Sequence, residues 1–157
     1  MARVLSEETL SKIRELTSRY PDTMAALVQA MHLVTAQLGH VPPEAQLEVA
    51  DLLGVPPTRV REVVTFYTMF SEKPQGRHVV RVCRNLACQL RGGGRIAERA
   101  KEILGIDFGQ TTPDGRITLE HEECLASCGT GPALWCDDNF VENLTEEKLE
   151  KFLAELT

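Results

Sequence analysis

The chain has 157 residues, 43% hydrophobic and 25% charged, with a formal net charge of −6. That balance is typical of a globular protein of one large or two small domains, and a chain of this size buries about 70% of its unfolded surface. The acidic excess argues against nucleic acid as a partner, and no run approaches the roughly 18 apolar residues of a membrane span.

Residues Met1 to Glu8 lack the apolar run of a secretory signal, and their acidic residues do not suit a transit peptide. Five cysteines without an export signal point to a reducing compartment, where metal ligation is a better use of thiols than disulfides. A cytoplasmic location follows, with any membrane association being that of a peripheral subunit.

In chain order, residues 6–20 predict a first helix, with Ser6 as N-cap and Leu10, Ile13 and Leu16 at helical spacing. Tyr20-Pro21 breaks it. Asp22 can cap a second helix whose stripe is Met24, Leu27, Met31, Val34 and Leu38, with Gly39 as terminator. His32 falls off that stripe, as a surface residue would. Pro43 to Leu53 predicts a third helix, inward at Ala45, Val49, Leu52 and Leu53 and ended by Gly54. A fourth starts at Pro57 and runs through Val60, Val63, Val64 and Tyr67. Thr65 to Phe70 is aromatic-rich and reads as a core plug; Ser71 to Gly76 reads as a linker.

Beyond the linker the period changes. His78 to Val82 is β-branched and predicts a strand that delivers Cys83 to its end. Gly92-Gly93-Gly94 lets the backbone turn before a helix with Ile96, Ala100, Ile103 and Leu104 inward, stopped by Gly105. This glycine run lacks the spacing of a phosphate-binding loop. Pro113-Asp114-Gly115 marks a turn before a strand over 116–120, with Ile117 and Leu119 on one face. Residues 133–136 and 140–141 predict a hairpin turning at Asp137 to Asn139, and Thr145 caps a closing helix with Leu149, Phe152 and Leu153 inward. The basic run from Arg77 to Lys101 reads as solvated surface or as a docking face for a protein.

Four of the five cysteines form two close pairs. Cys83 and Cys88 have four residues between them, Cys124 and Cys128 have three, and 35 residues separate the pairs. Two short cysteine loops brought face to face make a four-thiolate cage, suited to zinc or an iron–sulfur cluster. Structural zinc usually takes tighter knuckles, whereas a [2Fe–2S] group needs two thiolates on each of two irons, which two wider loops supply. On spacing alone, cluster, zinc, and disulfides or free thiols all stand.

Flanking residues narrow the choice. Glu62-Val-Val-Thr-Phe-Tyr-Thr-Met-Phe70, Cys83-x4-Cys88 followed by Leu90-Arg91-Gly92, Thr112-Pro-Asp-Gly115 and Glu123-Cys-Leu-Ala-Ser-Cys128 with Pro132 beyond occur in that order. On these motifs the chain resembles the small [2Fe–2S] subunit of NADH:quinone oxidoreductase (complex I), a module shared with NAD-linked hydrogenases and formate dehydrogenases. The resemblance implies an α/β fold in which an N-terminal helical bundle, residues 1–72, precedes a thioredoxin-like [2Fe–2S] ferredoxin domain, residues 73–157. It implies a cluster on Cys83, Cys88, Cys124 and Cys128. It further implies a partner flavoprotein carrying FMN and NADH, together with other iron–sulfur subunits, and no complete active site on this chain alone.

Two other readings belong to different classes: a zinc-stabilised interaction module, and a thiol-redox enzyme, the latter weakened by the absence of any Cys-x-x-Cys pair. Cys136, between Trp135 and Asp137, reads as a small core residue outside the ligand set. Gly129, Thr130 and Gly131 are expected to offer backbone N–H groups to sulfur, while Glu122 and Glu123 oppose reduction and Arg84 and Arg91 favour it. The four N-terminal helices, which contain no cysteine, are expected to dock the flavoprotein.

Overall fold

A computed structural model describes residues 3–156, so Met1, Ala2 and Thr157 of the expected segments lie outside the described residues. Contacts divide the chain into two compact units, Met1–Pro74 and Gln75–Thr157.

The first unit is helical: α1 (Glu7–Thr17), a 3-10 turn (Thr23–Ala26), α2 (Leu27–Leu38), α3 (Pro43–Leu53) and α4 (Pro57–Phe66). Ser6 caps α1 by accepting from the Thr9 N–H at 3.2 Å, and the helix stops at Thr17, short of Tyr20. Asp22 does cap, accepting from Met24 N–H at 2.9 Å, but what it caps is the 3-10 turn. That tighter winding rotates Met24 off the α-helical stripe, and it is exposed where the stripe predicted burial. Leu27, Met31 and Val34 are buried as their spacing requires, and Gly39 ends α2 at φ 75°, in the left-handed region that suits glycine. These residues join Leu10, Ile13, Val41, Val49 and Val60 in one core.

The aromatic segment divides. Phe70 enters this core and meets His32 edge to face at 5.0 Å, but α4 ends at Phe66, leaving Phe66, Tyr67 and Met69 at the surface. Only Phe70 therefore fills the role expected of the whole stretch.

The second unit is a five-stranded sheet in the order β2-β3-β1-β4-β5, with three helices. Its elements are β1 (His78–Cys83), α5 (Leu86–Leu90), α6 (Gly93–Leu104), β2 (Gln110–Thr111), β3 (Ile117–Glu122), β4 (Leu134–Cys136), β5 (Asn139–Val141) and α7 (Glu146–Glu155). Strands β1 and β3 run parallel, from His78 opposite Ile117 to Cys83 opposite Glu122. Strand β4 lies antiparallel on the other side of β1, with Val80 opposite Cys136. The β4–β5 turn is tighter than expected: Asp137 adopts φ 52° and Asn139 already pairs with Cys136.

Val80, Val82, Ile117, Leu119, Leu134 and Cys136 from the sheet pack with Ile96 and Ala100 of α6 and with Leu149 and Leu153 of α7. Burying each of those last two leucines contributes about 1.5–3 kcal/mol relative to exposure. On α6 the buried arc covers Ile96, Ala97, Ala100 and the partly buried Leu104, so Ile103, expected inside, falls just past its edge and is exposed. Charges of the basic run are compensated from outside it: Arg99 pairs with Glu150, Lys101 with Asp107 and Arg84 with Glu123. That is the pattern of a solvated surface. No helix among the described residues is long and apolar enough to cross a membrane.

Candidate metal centre

Cys83 is the last residue of β1. Its N–H donates to Ala133 O at 3.1 Å, and the next N–H, of Arg84, donates to Glu122 O at 2.9 Å. The end of the strand is thus held between the two segments that flank the second cysteine loop. Asn85 then starts α5, a single short helix on which Cys88 faces inward while Leu86 (70%) and Leu90 (79%) stay exposed.

Gly92 reverses the chain at φ 94°, and Gly93 seats the start of α6 directly on Cys88. A Cβ at residue 93 would come within 2.8 Å of the Cys88 carbonyl oxygen, so only glycine allows this approach.

The second loop is braced from below. The Ser127 hydroxyl donates to Glu142 Oε1 at 2.6 Å, and the Thr130 hydroxyl donates to the same oxygen. Asn143 N–H donates to Thr130 O at 2.6 Å, and Leu144 N–H to Pro132 O at 3.0 Å. These bonds fasten the loop to the segment between β5 and α7. Hydrogen bonds from Ser127 and Thr130 hold the Glu142 carboxyl below the usual range. Within the loop, Ala126 takes φ 58° and its N–H donates to Cys124 Sγ at 3.4 Å.

Three contacts join the two loops. Arg91 Nε donates to Gly131 O at 2.7 Å. Gly131 lies so close to Cys88 that a Cβ there would stand 2.8 Å from Sγ. The Arg84 guanidinium bonds the Glu123 carboxylate, raising the one pKa and lowering the other. Arg84 and Glu123, expected to act oppositely on reduction, are thus paired with each other, and Arg91 serves as a strut between loops.

The expected ligands are unequal in setting. Cys83 and Cys88 are buried, whereas Cys124 and Cys128 are exposed. Burial pushes the Cys88 thiol up to about 11, assisted by a hydrogen bond and charge from Cys83 and by the charge of Cys128, against a backbone bond from Ala133. Cys83 and Cys88 thus lie side by side in the buried first loop, with Gly131 of the second loop against Cys88, while Cys124 and Cys128 both stand on the exposed side of that second loop. A buried thiol such as Cys88 becomes a stable thiolate when a cation supplies the opposite charge, so two cysteine pairs on adjoining loops fit a thiolate-bound metal group.

No three of the four sulfurs lie within 4.8 Å of one another among the described residues. Cys136 is fully buried in the sheet core, and its thiol is pushed up to about 12, by burial first and then by Asp137.

Sequence spacing missed the Ser127–Thr130–Glu142 brace, because Glu142 is remote in the chain and carries no motif. The Thr130 N–H, expected to serve sulfur, donates to Ser127 O, and the N–H on sulfur comes from Ala126. Gly131 contributes by close approach.

The family model for the thioredoxin-like [2Fe-2S] ferredoxin matches residues 13–157. An NADH-quinone oxidoreductase subunit from Pseudomonas aeruginosa is 37% identical over 150 residues, covering 96% of this chain and 90% of the relative. Its counterpart from Mycobacterium bovis is 37% identical over 143 residues, 91% of this chain but 57% of that protein, so the chain spans little more than half of the mycobacterial relative. The Dictyostelium discoideum NADH dehydrogenase [ubiquinone] flavoprotein 2, mitochondrial, is 35% identical over 154 residues, 96% of this chain and 62% of the relative. Among solved structures, an NAD+-reducing [NiFe]-hydrogenase chain in the air-oxidized state superposes with a TM-score of 0.70 at 18% identity, over 83% of this chain and 22% of the other; that likeness is one of fold. The chain belongs to the thioredoxin-like [2Fe-2S] ferredoxin family.

Proposed function

We propose that this chain is the electron-transfer subunit of an NADH:quinone oxidoreductase, holding one [2Fe–2S] cluster on Cys83, Cys88, Cys124 and Cys128. When bound, that group supplies one-electron redox chemistry. The observation that carries the reading is the tie between the loops: Gly131 of the second against Cys88 of the first, locked by Arg91. It fastens the second cysteine loop to the first, so that both pairs of thiolates are available to one two-iron group.

The protein's own residues do the rest. Cys83 and Cys88 keep their sulfurs out of water, and Cys124 and Cys128 keep theirs at the surface where an electron can enter or leave. Exposed Leu86 and Leu90, on the helix that carries Cys88, offer apolar surface from which a docked partner would exclude water. The partner is an NADH- and FMN-binding flavoprotein, with further iron–sulfur subunits beyond it. Residues 1–72 form the docking domain, with Phe66 (77%) as its most exposed aromatic residue, and residues 73–157 form the cluster domain. The quinone-reducing complex is favoured over a hydrogenase or formate dehydrogenase because relatives at 35–37% identity carry that name, while the hydrogenase likeness is at 18%. The complex sits on the cytoplasmic side of the membrane, with this chain as a peripheral component.

The test is electron delivery from NADH. The purified chain should stay oxidised when NADH is added alone and become reduced when its co-purifying flavoprotein is also present. Reduction by NADH without any flavoprotein, or none with it, would contradict the proposal.

A further inference from the structure

A second set of metal-ligand side chains lies at the other end of β1. His78 begins the strand that Cys83 ends. Five residues at about 3.3 Å each place the two roughly 17 Å apart along it. Val80 pairs with Cys136, and side chains two apart on a strand share a face, so His78 and Cys136 are diagonal neighbours on one face of the sheet. Asp137 follows at the hairpin corner, where φ 52° turns its carboxylate back toward them, and the Trp135 indole N–H fixes the corner by donating to Asp137 O at 2.5 Å. His78 Nδ1 is 2.6 Å from Asp137 Oδ2, and Cys136 Sγ is 3.6 Å from the same oxygen. All three donor atoms lie within 4.8 Å of one another.

From this juxtaposition of imidazole, thiol and carboxylate we propose a divalent zinc site formed by His78, Cys136 and Asp137, separate from the four paired cysteines. Tetrahedral zinc with a sulfur at about 2.3 Å and an oxygen at about 2.1 Å sets those two donors about 3.6 Å apart, the separation already present between Cys136 Sγ and Asp137 Oδ2. The nitrogen–oxygen edge must open from 2.6 Å to about 3.4 Å as the ion replaces the hydrogen bond now holding it closed.

Three mixed donors leave the fourth position to water, the form of an open zinc site. Cys136 is wholly buried while the Asp137 side chain is 42% exposed, so the soft ligand lies inside and the ion enters past the carboxylate. Without an ion, burial first and then Asp137 keep the Cys136 thiol protonated, with Arg81 on the neighbouring strand in weaker opposition. As the sulfur–zinc bond forms, the thiol proton leaves to solvent, and the imidazole exchanges its Nδ1 proton for one on Nε2; no electron moves.

The experiment uses the anaerobically purified, cluster-loaded chain, stripped of loose metal and given one equivalent of zinc chloride. Zinc-edge X-ray absorption reads the zinc shell without interference from iron. The expected shell is one sulfur with three nitrogen or oxygen atoms, with iron content unchanged. His78→Ala and Asp137→Asn should each weaken zinc binding about tenfold or more, and Cys136→Ser should remove the sulfur. A four-sulfur shell, which puts zinc in the cage of paired cysteines, would overturn the proposal. So would a shell without sulfur, or zinc lost on gel filtration. Should Cys136→Ser fail to fold, undiminished zinc affinity in His78→Ala is the overturning result.

Discussion

Replacing Gly131 by alanine places one methyl group against Cys88, one of the four proposed ligands. The added Cβ would stand 2.8 Å from Cys88 Sγ and 3.3 Å from Ser127 O. Comfortable contact between such atoms is about 3.5–4.0 Å, so the sulfur or the loop must give by roughly 1 Å. Cys88 cannot retreat, because Gly93 already packs on its carbonyl at a distance no other residue would allow. Overpacking of this kind costs about 1–3 kcal/mol, or about 5- to 150-fold in an equilibrium constant. Gly129→Ala is the matched control: same loop, same added methyl, and nothing within 4 Å of it. The assay is iron and labile sulfide per folded chain during a chelator challenge, with thermal unfolding of the loaded protein alongside. Gly131→Ala should lose metal faster and melt earlier, while Gly129→Ala behaves as the parent. If the two variants are indistinguishable, Cys88 does not rest on Gly131 in the loaded protein and the tie between the loops is misplaced.

Serine at 83, 88, 124 or 128 should abolish or strongly alter the visible and EPR spectra, since a hydroxyl is a poorer and harder ligand than thiolate; Cys136→Ser should leave the iron chromophore unchanged. The Cys136 thiol, pushed up to about 12, should resist alkylation in the native protein from neutral pH to about pH 10 and react only on unfolding, as quantitative mass spectrometry can follow. Glu142 has its pKa lowered in the folded chain, so its stabilising effect is complete above its ordinary value and fades as pH falls through the folded one. The melting-temperature difference between parent and Glu142→Gln should accordingly be present at pH 7 and disappear in acid, and a difference that grows on acidification would show the sign to be wrong. Phe66→Glu should weaken capture of the flavoprotein while leaving iron content alone; undiminished capture would remove the helical unit from the proposed interface.

What can be read from sequence follows from the length over which each signal is repeated. Helices α2 and α3 declare themselves because apolar residues recur over several turns and a glycine stands at each C-terminal end. Helix α5 has five residues, too few to show a period, and β2 has two. Met24 and Ile103 are misplaced by continuing an ideal α-helical angle, into a 3-10 turn in one case and past the edge of the buried arc in the other. The two cysteine pairs are legible as pairs because each spacing is local. Burial of one pair and exposure of the other is not, since it depends on which loop the sheet covers. Nor is the brace at Glu142, which meets Ser127 only once the β4–β5 hairpin has folded.

The most direct test of the central claim is the metal content of the natively expressed, anaerobically isolated chain, read together with its EPR spectrum before and after one-electron reduction. A two-iron group on paired thiolates should give about two irons and two labile sulfides per chain, EPR-silent as isolated and with a signal on reduction. Stoichiometric zinc in a colourless protein, or iron without labile sulfide, would contradict it.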